Sequence, residues 1–187
     1  NNSILDPGSS YVVFGANFAN AVTFLGTPGA ENFSAGTAAA ESFVAGDGND
    51  LMIGGGGADV FYGGAGNDII KVSDFGFRLL DGGAGNDTLV VTGSGLNLNL
   101  VNVRGKIDGI ETIDLTGSGN NTLTLNALDL LNLSDTSNTL KVNGNTGDSI
   151  VGLSINWKDE GVSGDYHTYV QGAAVLLVGV NMSTDFG

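Results

Sequence analysis

Between residues 45 and 90 the apolar positions follow a nine-residue beat. Met52, Phe61, Ile70 and Leu89 each occupy the middle of a three-residue stretch, at 51–53, 60–62, 69–71 and 88–90. Each of those stretches follows a six-residue Gly-rich segment that closes on Asp. Units this short cannot be helices; they read as strands with one inward side chain each, joined by tight turns. A ten-residue interruption at 72–81 breaks the beat, and Leu79 is expected to hold the inward register across it. Alternating segments follow downstream, such as Leu96/Leu98/Leu100, Leu123/Leu125 and Leu131/Leu133, which predict further half-buried strands. No helical pattern exceeds one or two turns, and 126–133 is the best short candidate.

The turns repeat as closely as the strands. Residues 45–53 read A-G-D-G-N-D-L-M-I, 54–62 read G-G-G-G-A-D-V-F-Y, 63–71 read G-G-A-G-N-D-I-I-K, and 82–90 read G-G-A-G-N-D-T-L-V. Self-similarity at a fixed short period is the signature of a solenoid. Upstream, G-T-P-G-A-E-N-F-S (26–34) and G-T-A-A-A-E-S-F-V (36–44) keep the spacing with Glu31 and Glu41 at the acidic position. Downstream, the triplet Asp87-Thr88-Leu89 echoes in Glu111-Thr112-Ile113, Asn121-Thr122-Leu123, Asn138-Thr139-Leu140 and Asp148-Ser149-Ile150. Four segments are expected: degenerate rungs at 1–35, the regular repeats at 36–90, metal-free rungs at 91–153, and a cap at 154–187. In that cap, Trp157, Tyr166 and Tyr169 lie on two or three strands that cover the open end.

Charge changes the picture. The 187 residues carry 6 Lys+Arg against 20 Asp+Glu, a formal net charge of -14, with 32 Gly and no Cys. No Lys or Arg precedes Lys71. At about 5 Å and an effective dielectric near 20, each close pair of carboxylates costs on the order of 3 kcal/mol, so a compact fold needs a cation that the side chains do not supply. The acidity excludes a nucleic-acid partner, and the absence of Cys excludes disulfides and thiolate metal sites. The longest apolar run, 173–178, is far short of the roughly 20 residues of a membrane span. No basic and apolar leader opens the chain.

The repeats lack Cys and His but offer oxygen. Gly lets backbone carbonyls converge without Cβ atoms in the way, and the closing Asp adds a carboxylate. Six to eight hard oxygen ligands at 2.3–2.6 Å are what Ca²⁺ takes. Successive units alternate between two sides of a flattened coil, so turns on one side recur about every 18 residues. One site is therefore expected between the turns ending at Asp50 and Asp68, with carbonyls from Gly46 and Gly48 below and Gly63, Ala65 and Asn67 above. A second joins Asp68 to Asp87 through Gly64, Gly66, Gly82, Ala84 and Asn86. A third, weaker site joins Glu41 to Asp59. One coil beyond Asp59 stands Phe77, leaving Asp74 as the substitute acid. Gly55, Gly57, Gly83 and Gly85 complete the candidate ligand turns, and two to four ions are expected.

These nonapeptides match G-G-x-G-x-D-x-U-x and resemble the repeats of the RTX (repeats-in-toxin) family. That resemblance implies an all-β fold, a parallel Ca²⁺-binding β-roll, in a bacterial protein exported by type I secretion. A looser resemblance, over 107–126 and 138–153, is to the C-terminal ends of very large RTX adhesins, including giant ice-binding ones. It implies a monomeric part of a larger polypeptide whose C-terminal end engages the type I secretion machinery and leaves the cell first, with no membrane insertion.

Other chemistry is weakly signalled. His167 stands alone, with no second His or Cys. Ser9 and Ser10 lie in no G-x-S-x-G elbow. Gly54 to Gly57 precede neither Lys-Ser/Thr nor a helix, which a phosphate loop needs. No enzymatic activity is expected. Two alternatives remain. One is a carbohydrate- or ice-binding adhesion module, although the outward strand positions of the repeats are too mixed for ice. The other is the repeat domain of a secreted hydrolase.

Overall fold

The computed structural model describes residues 22–134 and 136–186. Part of the expected first segment, 1–21, therefore lies outside the described residues, as do Ser9 and Ser10. In chain order the strands begin with β1 (Phe24–Leu25), β2 (Asn32–Phe33), β3 (Ser42–Asp47), β4 (Leu51–Ile53), β5 (Val60–Ala65) and β6 (Ile69–Val72). They continue with β7 (Leu79–Ala84), β8 (Thr88–Val91), β9 (Asn97–Asn99), β10 (Ile107–Asp108), β11 (Thr112–Asp114) and β12 (Thr122–Thr124). One helix, α1 (Ala127–Leu131), precedes β13 (Thr139–Asn143), β14 (Ser149–Val151), β15 (Lys158–Ser163), β16 (Tyr166–Gln171), β17 (Ala174–Gly179) and β18 (Ser183–Thr184). The chain is nearly all-β, and its repeats form the solenoid that the nine-residue beat predicts, with the parallel strands that the family resemblance implies. No helix among the described residues is long and apolar enough to cross a membrane.

Through the repeats, consecutive strands alternate between two parallel sheets. The first runs β1-β3-β5-β7-β10, and the second includes β2-β4-β6-β8-β11-β13. Inward residues stack in register: Phe43, Phe61 and Leu80 in the first sheet, and Met52, Ile70 and Leu89 in the second. Parallel strands lie about 4.8 Å apart, which is also a stacking distance for rings. Phe24, Phe43 and Phe61 accordingly stack at centroid separations of 4.6 and 4.9 Å. One expectation needs correction here. Leu80, wholly buried, pairs with Phe61, while Leu79 is only half-buried. The ten-residue interruption adds one residue to the coil, and because side chains alternate along a strand, that single residue moves the inward position from Leu79 to Leu80.

Beyond β8 the coil widens and gains a third side. β9, β12, β14 and β18 form a separate parallel sheet. The echo triplets therefore divide between two stacks. Glu111-Thr112-Ile113 stands over Asp87-Thr88-Leu89 in the second sheet, whereas Thr122-Leu123 pairs with Ser149-Ile150 in the third. The Leu140 triplet is offset, since Val142 is the residue that pairs with Ile113. An offset of two residues keeps the same face inward. α1 follows β12, and Asn126 caps it by accepting a hydrogen bond from the Asp129 N–H at 3.0 Å.

The far end closes with antiparallel pairing. β17 is the last parallel strand of the second sheet, and β16 and β15 add to its open edge as a hairpin. The outermost strand, β15, carries Lys158 and Glu160 and a register shift between Asp159 and Gly161. Charge and a bulge on an edge strand discourage pairing with another chain. The interior of the widened part is a continuous apolar column that includes Leu98, Leu123 and Ile150, all wholly buried. Replacing Leu123 by Ala is expected to cost about 2–5 kcal/mol. Urea unfolding in excess Ca²⁺ measures this, with the outward Thr124→Ser as a control within about 0.5 kcal/mol.

Candidate metal centre

Because the strands are in register, the turns between them also stack. Turns 45–50, 63–68 and 82–87 form one column at one edge of the roll, where the first sheet passes into the second. Turns 36–41, 54–59 and 73–78 form a second column at the opposite edge. The structure thus brings the predicted residues together in two rows. Gly46, Gly48, Asp50, Gly63 through Asp68 and Gly82 through Asp87 share the first; Glu41, Gly55, Gly57 and Asp59 share the second.

The closing acids form a ladder. The Asp50 N–H donates to Asp68 Oδ1 at 2.8 Å, and the Asp68 N–H donates to Asp87 Oδ1 at 2.7 Å. The ladder continues below, from the Glu31 N–H to Asp50 Oδ1, and above, from the Asp87 N–H to Glu111 Oε2, both at 2.7 Å. Each carboxylate thereby loses one oxygen to the backbone. The other oxygen, Oδ2 of Asp50, Asp68 and Asp87, is buried and has no hydrogen-bond partner. Three desolvated oxygens on three stacked acids, with no basic side chain beside them, are too costly to leave uncompensated.

Backbone oxygens converge on the same gaps. A Cβ on Gly63 would stand 2.3 Å from both Asp68 Oδ2 and the Gly82 carbonyl oxygen. From below, the Gly64 and Gly66 carbonyls point at the α-carbons of Gly83 and Gly85, where a Cβ would meet them at 2.1 and 1.8 Å. The gap between 63–68 and 82–87 is therefore faced by Gly64, Gly66, Gly82 and Asp68 oxygens. The gap below it receives Gly46 and Gly48 oxygens in the same way, 2.0 and 1.8 Å from the corresponding Cβ positions of Gly64 and Gly66. Glycine at 64 answers a second demand as well, since its φ of 108° lies in the left-handed region. Outside this cradle, Asn67 Oδ1 accepts from the Asn86 N–H at 2.8 Å, and Asn49 Oδ1 from the Asn67 N–H at 2.7 Å.

No group of three or more His, Cys, Asp or Glu side chains converges among the described residues. Any ion in these gaps must take most of its ligands from the main chain. All the available donors are oxygen, which suits Ca²⁺ and does not suit metals that prefer nitrogen or sulfur.

The second column is built differently. Glu41 accepts from the Thr37 N–H at 3.3 Å and from the Thr37 hydroxyl, so both its oxygens are held within its own turn. Glu31 is held by Thr27 in the same manner. The extra methylene of Glu lets it reach back to the Thr at the second turn position. Asp59 accepts the Glu41 N–H at 2.9 Å. Asp74 reaches toward this column, since a Cβ on Gly56 would lie 2.8 Å from its Oδ2, and Phe77 is in the core. The Gly-Thr pairs at 26–27 and 36–37 were the visible sign of this closure.

Burial sets the protonation of the acids. It pushes the Asp87 carboxyl up to about 6, with Asp68, Glu111 and Asp81 adding repulsion, and Asp59 likewise to about 6, with Glu41 and Asp74 adding theirs. Asp50 and Asp68 are also raised, again chiefly by burial. Outside the turns, Arg104 Nε meets the buried Asp129 at 2.5 Å beside a cavity of about 350 Å³. His167 Nε2 lies 2.7 Å from Asp159, and Tyr169, 3.3 Å from His167 Nδ1, is buried.

Residues 35–70 and 79–92 match the family model of the RTX calcium-binding nonapeptide repeat, in four copies. The match leaves out most of the interruption. RTX nonapeptide repeats bind Ca²⁺, and the number of ions is a separate matter. Neither the curated proteins nor the solved structures compared with this chain give a match.

The raised carboxyls give the metal-free fold a distinctive pH response. Between the ordinary 3.8 and about 6, folded Asp59 and Asp87 bind protons that the unfolded chain has released. Stability without metal therefore falls as pH rises through that window. In EDTA the far-UV β signal is expected to be larger at about pH 5 than at about pH 7.5, and in Ca²⁺ the urea midpoint is expected to be higher at about pH 7.5 because the metal requires carboxylates. An EDTA β signal that grows with pH contradicts the burial of these acids.

Proposed function

We propose that this chain is the C-terminal, Ca²⁺-triggered folding segment of a secreted bacterial adhesin. In the cytosol, where Ca²⁺ is scarce, the stacked acids repel and the chain remains extended enough to thread through a type I exporter. Outside the cell, ion binding closes the turns. Ligand free energy then becomes folding free energy, because the cradles do not exist in the unfolded chain. If the C-terminal end emerges first, its folding opposes back-sliding and nucleates the segments that follow. The observation that carries this reading is the row of three buried, unpartnered aspartate oxygens at 50, 68 and 87. At neutral pH a cation that takes many oxygen ligands stabilises that row, and the repeats match a family of calcium-binding sequences.

Affinities in the roughly 10⁻⁴–10⁻³ M range of extracellular modules would keep the segment open inside the cell and closed outside. The test is a Ca²⁺ titration followed by far-UV circular dichroism and by fluorescence of Trp157, which is buried in the core far from the turns. Both signals are expected to change together from EDTA to Ca²⁺ at a few millimolar, with Mg²⁺ giving little response. A chain with the same β signal in EDTA and Ca²⁺ rules out the trigger.

One observation favours a second reading, an adhesion face. On the third sheet Asn97, Thr122, Ser149 and Ser183 align in register. Thr122 and Ser149 hydroxyls lie 3.0 Å apart, and the Thr124 hydroxyl donates to Asn97 Oδ1 at 3.0 Å. Such a fixed row of hydroxyls and amides suits a hydroxyl-rich surface, either a glycan or ice. A glycan array and an ice-recrystallisation assay, each with Thr122→Val as the control, test it; loss of a signal in the variant supports this face, and no signal in either assay removes it.

A further inference from the structure

Asp87 Oδ2, on the last regular repeat, is buried and has no hydrogen-bond partner. A Cβ on Gly82 would stand 2.1 Å from the Gly109 carbonyl oxygen, 2.7 Å from the Asp87 β-carbon and 2.9 Å from its carboxyl carbon. One turn lower the Gly63 position is likewise met by a carbonyl, of Gly82, and by the closing acid, there through Asp68 Oδ2 itself. From below, a Cβ on Gly109 would lie 2.6 Å from the Gly83 amide nitrogen and 3.0 Å from its carbonyl oxygen. The gap between 82–87 and 108–111 thus has a carbonyl from each side and a wholly buried aspartate with a free oxygen.

The acid above this gap is Glu111. Its Oε2 accepts the Asp87 N–H, the role that Asp68 Oδ1 plays for Asp50 and Asp87 Oδ1 for Asp68. Its Oε1 accepts the hydroxyls of Ser134 and of Thr136, the latter at 3.0 Å. Glu111 is therefore the top of the ladder: it faces the gap below and is closed off from the rung above. At the bottom, Thr27 closes Glu31 in the equivalent way. Of the four gaps between Glu31 and Glu111, three have Asp50, Asp68 or Asp87, each with an unpartnered oxygen, on their lower side.

We infer that a further Ca²⁺ site lies between Asp87, Gly83, Gly109 and Glu111, outside the nonapeptide repeats, and joins the last calcium rung to the first rung of the widened coil. This rests on the reading of the regular turns as Ca²⁺ sites. Its consequence is coupling. β10 and β11 flank Gly109 and Glu111 and pair with β7 and β8. An ion in this gap fastens the repeat-free rungs to the calcium-binding ones, so folding driven by metal extends toward Trp157 and the cap.

The experiment counts ions by native mass spectrometry in saturating Ca²⁺, on the wild-type chain and on Glu111→Gln, whose amide oxygen keeps the acceptor for the Asp87 N–H while the NH₂ turns to the Ser134 and Thr136 hydroxyl oxygens and the charge is lost. The variant is expected to hold one ion fewer, and to need about tenfold more Ca²⁺ for the Trp157 fluorescence change. Crystals of the wild-type chain grown with Ca²⁺ give a second measurement that depends on no variant: density for an ion is expected between Asp87 and Gly109. Equal counts in the two chains, or density between Asp50 and Asp68 with none between Asp87 and Gly109, overturns this site alone. A wild-type chain that holds no ion overturns the reading of the repeats, and this site with it.

Discussion

Stacking acids at the spacing of a parallel sheet is the constraint from which the rest of this molecule follows. Register places Asp50, Asp68 and Asp87 one strand apart, and each uses one oxygen to hold the backbone of the turn below. That hydrogen bond fixes the turn but leaves the second oxygen buried. In water the repulsion between neighbours would be modest; inside a desolvated column it is several-fold larger. No basic side chain hydrogen-bonds the second oxygen of any of the three. The same acids that organise the turns thus each leave one oxygen free for a cation.

The apolar interior of the repeats is narrow. In the repeats each short strand sends only one or two side chains inward, so the core is little more than one row of residues per sheet. The rings of Phe24, Phe43 and Phe61 strengthen it at the N-terminal end. The widened coil is different. It has a third sheet, a helix and a larger apolar column, and two of its acids take hydrogen bonds from nearby groups: Asp148 accepts the N–H groups of Asn121 and Asn145, and Glu111 the hydroxyls of Ser134 and Thr136. The Gly-rich repeats and the widened coil meet at Asp87 and Glu111.

Asp and Glu prove to have separate roles at the same turn position. At 50, 68 and 87 the Asp leaves its second oxygen buried and without a partner. Glu, one methylene longer, folds back onto Thr27 or Thr37 and closes it. The two upstream turns therefore have side-chain hydrogen bonds within the turn, from Thr27 to Glu31 and from Thr37 to the expected ligand Glu41.

Much was legible in the order of residues alone. The nine-residue recurrence of Met52, Phe61 and Ile70 implies short strands on a solenoid, and the Gly-rich turns closed by Asp imply oxygen cradles, because both patterns depend on local geometry that repeats with the sequence. The stack of Asp50, Asp68 and Asp87 follows from counting 18 or 19 residues along the coil. Three things waited for the tertiary structure. Leu80 rather than Leu79 turned inward, since an irregular loop can absorb either parity. The echo triplets split between two sheets, because equal triplets do not reveal the length of the coil that separates them. Glu111 came to rest on the acid ladder because register between distant strands, not any local motif, carried it 24 residues along the chain to the position above Asp87.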